Sequence, residues 1–415
     1  MDQSAIDNLL VNCLRAAPGE AAEGRFEARS AADWDAVIDA SSRHGVAPLL
    51  YQRLGECLPG VPVPPRQVER LRRAYLENGA RNMGVYHELG KVLAGLRRDN
   101  IDVIVLKGAH LADLVYGNHA LRFMSDVDLL VYQDDLSRVE ERLVGMGYVP
   151  AECHRQVAAD NCHFLYRLPD REMFVEVHWA LMPSMHGLHL DTDGQWGRAR
   201  PATIAGVEAW VLCPEDLLTY LCVHASKHGF EVGLKPLVDI VETIRSCGHD
   251  IDWQLLRDRS AHAGVAKCLG VAFRLAREML GASVPDDLTR VPTSDGIGEM
   301  YAGVARERVL ARGHGNDDGA SLSPTVARVW EKGRLLQRGL LLLRSAFPSR
   351  ATMARMYPAP ANSLRVWFCY PVRIKDILLR HGRHLWLLLT GDERMQAAAR
   401  RKNAASDLRD WLLSP

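Results

Sequence analysis

The chain has 415 residues, which at roughly 150 residues per domain predicts two or three domains with more than one core. Hydrophobic residues make up 47% and charged residues 25%, which excludes a disordered chain, a collagen-like repeat and a disulfide miniature. The 51 Lys and Arg cancel the 51 Asp and Glu, with +10 concentrated in residues 324–391 and −10 in the rest; an acidic body of that kind disfavours a duplex-binding channel and templated synthesis.

At the N-terminus Asp2 precedes the first apolar stretch with no basic residue before it, so a secretory signal is not expected. Ile6, Leu9, Leu10, Cys13 and Leu14 recur at helical spacing, Trp34, Val37 and Ile38 begin a second apolar face, and residues 67–98 read as one long amphipathic helix. Residues 1–98 are therefore expected to be helical. At Ile101 the texture changes: IDVIVLKG is a β-branched run ending in glycine, HLADLVYG two helical turns, SDVDLLV a second strand and DDLSRVEERLVGMG a capped amphipathic helix. CHFLYRL and EMFVEVHW then alternate as a hairpin about Pro169 and Asp170. The expected core, residues 99–212, is a small mixed sheet with helices, making the chain α+β. Pro214 with Glu215 and Asp216 opens a helix ending near Lys227-His228-Gly229, another runs from about Leu234 to Ser246, and residues 213–312 form a helical domain expected to close a cleft. Residues 313–323 are the linker candidate.

The last region, 324–415, reads as basic helices. Twelve basic residues face only Glu331 and Asp376 between residues 324 and 391, which suits an anionic partner or a membrane surface; the plainer alternative is arginine that keeps amphipathic helices soluble. No apolar run approaches the ~20 residues of a membrane span. The nine cysteines include no Cys-x-x-Cys pair and read as reduced thiols, so a cytoplasmic protein is expected.

Asp126 and Asp128 sit two apart in a predicted strand, so both carboxylates point to one face while Val127 and Leu129 face the core. Such a pair repels unless a cation lies between, and with a third carboxylate it can hold two magnesium ions about 4 Å apart, as in-line phosphoryl chemistry requires. Glu176, an acid among the apolar residues of FVEVH, is the third candidate. Lys107-Gly108 ends the first strand, where a helix start, close backbone approach and a lysine charge suit a phosphate.

LKGAHLADLVYG, then Arg122 with SDVDLLV, then VEVHW, CPEDLLTYLCVHASKHGF and LKPLVDIVETI, resemble the uncharacterised nucleotidyltransferase family of the polymerase-β-like superfamily over roughly residues 71–246. The resemblance implies a small mixed sheet followed by helices, and non-templated transfer of a nucleoside monophosphate from an NTP such as ATP to an acceptor, releasing pyrophosphate. It implies Asp126, Asp128 and Glu176 as catalytic metal ligands for two Mg2+ ions, and Lys107 with Gly108 at the triphosphate. Lys227 and Lys235 face the cleft in the same comparison, with His228 and Asp239. Two departures stand out: Ala109 replaces the usual Gly or Ser, and Asp126 lies 18 residues beyond Gly108. Arg122 meets either a substrate phosphate or Asp126 itself. His178 is either a partner of Glu176 and proton carrier or a structural histidine beside Trp179.

Zinc is the lesser reading: Cys153-His154, Cys162-His163, His178, His186 and His189 lack the spacing of a zinc motif. Neither Gly-x-Ser-x-Gly nor a P-loop occurs, which disfavours an α/β-hydrolase and a P-loop NTPase. The remaining alternative is an inactive nucleotide-binding sensor or scaffold. The acceptor, whether small molecule, sugar, peptide or protein, is not written in the sequence.

Overall fold

The computed structural model describes residues 1–15, 29–58, 60–151, 162–169, 173–183, 188–291, 296–312, 347–357, 363–390 and 392–414. The expected linker 313–323, together with Cys153, His154, Asp170 and His186, lies outside the described residues. Two compact units emerge, Met1–Gly315 with Trp411–Pro415, and Asn316–Asp410.

The first unit begins with helices. α1 (Gln3–Arg15) buries Ile6, Leu9, Leu10, Cys13 and Leu14. α2 (Ala31–Arg43) starts at a capping box in which Ser30 and Asp33 satisfy each other's backbone N–H. α3 (Ala47–Gln52) runs on through a π-type turn to Cys57. α4 (Pro65–Arg98) is 34 residues long, opens on a proline that needs no N–H there, and buries Leu89, Val92, Leu93 and Leu96 against the sheet.

The sheet follows. β1 (Ile104–Val105) leads into α5 (Lys107–His110), which widens into a π-type turn over Leu111–Val115. Then come β2 (Val127–Leu130), α6 (Leu136–Gly145), β3 (Val149–Pro150), β4 (His163–Leu168) and β5 (Met173–His178). α7 (Thr192–Arg198) precedes the hairpin β6 (Arg200–Ile204) and β7 (Val207–Val211). The seven strands lie in the order β3-β4-β5-β2-β1-β7-β6. β2 runs parallel to β5 and β1 parallel to β7, while β1 and β2 are antiparallel, so the sheet is mixed as expected. The β4–β5 hairpin also forms as read.

β3, β6 and β7 were not expected. β6 and β7 are joined by Ala205 and Gly206, both at positive φ (52° and 77°), the geometry a two-residue hairpin turn demands. β1 is shorter than its apolar run because only two of its residues pair fully; Trp210 N–H to Val103 O and Leu106 N–H to Asp128 O, each 2.9 Å, extend the contact by one residue at either end.

Among the described residues the unit continues with α8 (Pro214–Lys227), α9 (Lys235–Cys247), α10 (Trp253–His262), α11 (Ala266–Leu280) and α12 (Ile297–Ala311). α8 is buried almost all round, as a central helix must be. The second unit holds α13 (Arg350–Met356), α14 (Arg365–Leu389) and most of α15 (Glu393–Leu412).

Candidate active site

Asp126 immediately precedes β2 and Asp128 lies within it, while Val127 and Leu129 point into the core with no exposure. β5 runs alongside in a register that sets Glu176 directly beside Asp128. Strand alternation thus delivers three carboxylates to one face. One oxygen from each of Asp126, Asp128 and Glu176 lies within 4.8 Å of the others.

Asp128 is fully buried, yet ionised. Burial alone would raise its pKa, but Lys107 and His178 hold it well below the usual carboxylate range. Lys107 Nζ is 2.9 Å from Asp128 Oδ1, and His178 Nε2 is 3.2 Å from the same oxygen and 3.4 Å from Glu176 Oε2. Burial is the largest influence on the His178 imidazolium and opposes it, but hydrogen bonds with Asp128, Cys162 and Glu176, with the Asp128 charge, together outweigh it and raise its pKa to about 10. Asp126 behaves differently: burial, and then the charge of Asp128, push its pKa up. A carboxyl that resists ionisation beside two others is a group that a divalent cation would relieve.

A basic wall rises from α5, α8 and α9. Lys107 Nζ also meets His224 Nε2 at 3.3 Å, and burial keeps that imidazole neutral. Lys227 ends α8 and lies close enough to His163 to help depress its pKa, after burial and His178. Lys235 begins α9, with its ammonium 3.5 Å from the Phe123 carbonyl oxygen and 5.7 Å from the centre of that ring. Gly108 is buried; a Cβ there would sit 3.4 Å from the Asp126 carbonyl oxygen, so the glycine backs directly onto the strand entrance.

Arg122 does not pair with Asp126. Its Nε and Nη2 each donate at 2.8 Å to the two carboxylate oxygens of Asp239 on α9, and the Tyr116 hydroxyl donates to Asp239 Oδ1 at 2.9 Å. The segment before β2 is held from the other side by α4. The buried amides of Asn78 and Asn82 donate to the carbonyls of Ala120 (2.7 Å) and Arg122 (2.8 Å). Beside Asp126 a pocket of about 350 Å³ opens, walled by Ala80, Arg81, Gly84, Val85 and Glu88 of α4, Ser125 and Val127, and Met173 and Phe174 of β5.

Sequence reasoning passed over Tyr220 and His224, and weighed His163 only within the lesser zinc reading. Tyr220, His224 and His228 recur at helical spacing along α8, which could have revealed them. His163 faces His178 across the β4–β5 register, a contact no local spacing encodes. His163, Glu176 and His178 also bring ligand atoms within 4.8 Å, and the buried Cys162 thiol hydrogen-bonds His178 beside them. His189 donates its backbone N–H to Ala263 O, away from that group.

The carboxylates fit a hard divalent ion. Asp128 Oδ2 is buried and makes no hydrogen bond among the described residues, an open oxygen donor beside two more carboxylates. An all-oxygen set of this kind suits Mg2+ or Mn2+.

The solution structure of the antibiotic-resistance factor ANT(2'')-Ia aligns at a TM-score of 0.32 and 16% identity, over 44% of this chain and 95% of that one, a likeness too distant to transfer any property. No curated protein matches the sequence. The model of one family does match, over residues 30–281, spanning the sheet, the carboxylates and the basic wall. The chain belongs to the uncharacterised nucleotidyltransferase family.

Proposed function

We propose that the protein transfers a nucleoside monophosphate from an NTP to an acceptor without a template, releasing pyrophosphate, in the manner of polymerase-β-like enzymes. The observation that carries this reading is the in-register convergence of Asp126, Asp128 and Glu176 around an unsatisfied buried oxygen. Asp126 and Asp128 would hold both metal ions, with Glu176 completing the site of the second. Magnesium bound there supplies charge neutralisation for the triphosphate and lowers the pKa of the acceptor hydroxyl.

The chain's own residues do the rest. Lys107 keeps Asp128 ionised and adds a positive charge where the triphosphate meets the carboxylates. Lys227 and Lys235 receive the remaining phosphates. Arg122 acts through Asp239, fixing the segment that leads into β2, and is a positioning residue rather than a phosphate ligand. The pocket beside Asp126 admits the acceptor. Its wall mixes apolar side chains with Arg81 and Glu88, and Phe174 lies two residues from Glu176 on the same strand face.

Glu176→Gln keeps the shape of the side chain and removes the charge. Loss even of a residue that supports a metal ligand costs 10- to 100-fold, so transfer should fall by more than about a hundredfold, with magnesium–NTP affinity nearly unchanged by calorimetry. Normal turnover of this variant would show that Glu176 is not the third ligand.

A further inference from the structure

α14 is apolar on two faces, and among the described residues one of them is packed. On that side Val366 and Tyr370 pack with Met353 of α13, Tyr370 donates to the Pro348 carbonyl oxygen at 2.8 Å, and Leu388 is buried. On the other side the described apolar side chains are exposed. Leu364 at the helix cap is 78% exposed, followed by Phe368 at 77%, Val372 at 47%, Leu379 at 74% and Trp386 at 63%. With 3.6 residues per turn these five positions fall within an arc of about 80°, turned away from Val366, Tyr370 and Leu388. A stripe of this size facing water costs solubility unless something covers it.

The charge around the stripe indicates what covers it. The helix contains Arg365, Arg373, Lys375, Arg380 and Arg383 against Asp376 alone. Asp376 is already engaged, accepting a hydrogen bond from the Tyr357 hydroxyl at 2.9 Å. Lys375 is exposed and falls inside the apolar arc, where a long stem over hydrocarbon and an ammonium at headgroup level satisfy both surroundings. Phe and Trp anchors with flanking arginine are the features of a helix that lies in a bilayer interface. No helix of the described residues is long and apolar enough to cross a membrane, so α14 would lie along the surface rather than span it.

We infer that α14 is an interfacial anchor for an anionic lipid bilayer, with Phe368, Leu379 and Trp386 entering the headgroup–acyl boundary and the basic residues meeting lipid phosphates. A nucleic acid would reward the arginines and the stacking rings but not Leu364, Val372 and Leu379. A second copy of the chain would bring two helices of like charge together. The inference is independent of nucleotidyl transfer.

The test is flotation of the full-length protein with vesicles. Wild type should float with vesicles of phosphatidylcholine containing phosphatidylglycerol, more weakly with phosphatidylcholine alone, and less as salt is raised. Phe368→Glu with Leu379→Glu changes two exposed positions and should lower binding to the anionic vesicles by roughly tenfold or more, with an unchanged thermal melt. Failure of the wild type to float with anionic vesicles overturns the inference, as does flotation that the double variant leaves intact. So does a wild-type dimer in analytical ultracentrifugation that the double variant converts to monomer, or variant-sensitive binding of an RNA oligonucleotide without vesicle binding.

Discussion

Lys235 illustrates how burial adjusts one residue of the site. Burial, and then the neighbouring Arg122, lower its pKa from 10.5 to about 8. Between those two values the unfolded chain binds the extra proton, so folding stability rises with pH across that window and the cost of the buried ammonium is fully present below about pH 8. For an anionic ligand the dependence is opposite. The ammonium is present at neutral pH and lost above about 8, so NTP affinity of the wild type should fall between neutral pH and pH 9 or so. Lys235→Met should bind NTP more weakly at neutral pH and show a flatter profile, by calorimetry across that range. Equal affinities and parallel profiles would remove Lys235 from the binding wall.

At the scale of elements, the Arg122–Asp239 pair joins the segment before β2 to α9, with both side chains almost fully buried. Breaking one side of such a pair costs about 3–5 kcal/mol, whereas replacing both with apolar groups is often neutral. Asp239→Asn should therefore lower the urea midpoint sharply, and Arg122→Met with Asp239→Leu should recover most of it. If the single variant is as stable as wild type, the pair does not hold the strand entrance. The two partners are 117 residues apart, which is why the sequence left Arg122 between a substrate phosphate and Asp126. The carboxylates were legible because their signal is local: Asp126 and Asp128 share a strand face by alternation, and Glu176 is an acid among Val175, Val177 and Phe174. β6 and β7 were missed for the opposite reason. They form an edge hairpin whose residues are mostly exposed, including Arg200, Pro201, Thr203 and Glu208, so the apolar alternation that marks a strand is faint. The turn gave only half a cue, since Gly206 suits a two-residue hairpin but Ala205 at φ 52° stands where Asn, Asp or Gly is preferred. Gly90 of α4 leaves room for that turn, since a Cβ there would lie 2.9 Å from the Ala205 carbonyl oxygen.

Across the whole molecule, the composition separates two kinds of surface. The family match and the carboxylates belong to the first unit, and the basic stretch belongs mainly to the second. The final residues return to the first unit: Trp411 stacks on Tyr301 at 4.7 Å, and Lys267 donates to the Ser414 carbonyl oxygen at 3.3 Å. The first unit is thus built from both ends of the chain. The most direct test of the central claim uses that whole chain, incubated with magnesium, cell extract and each α-labelled NTP in turn, beside Asp126→Ala/Asp128→Ala. Nucleotidyl transfer predicts label on an extract component or on the protein itself, absent with the variant; no label transferred from any NTP, or label that persists in the variant, would contradict it.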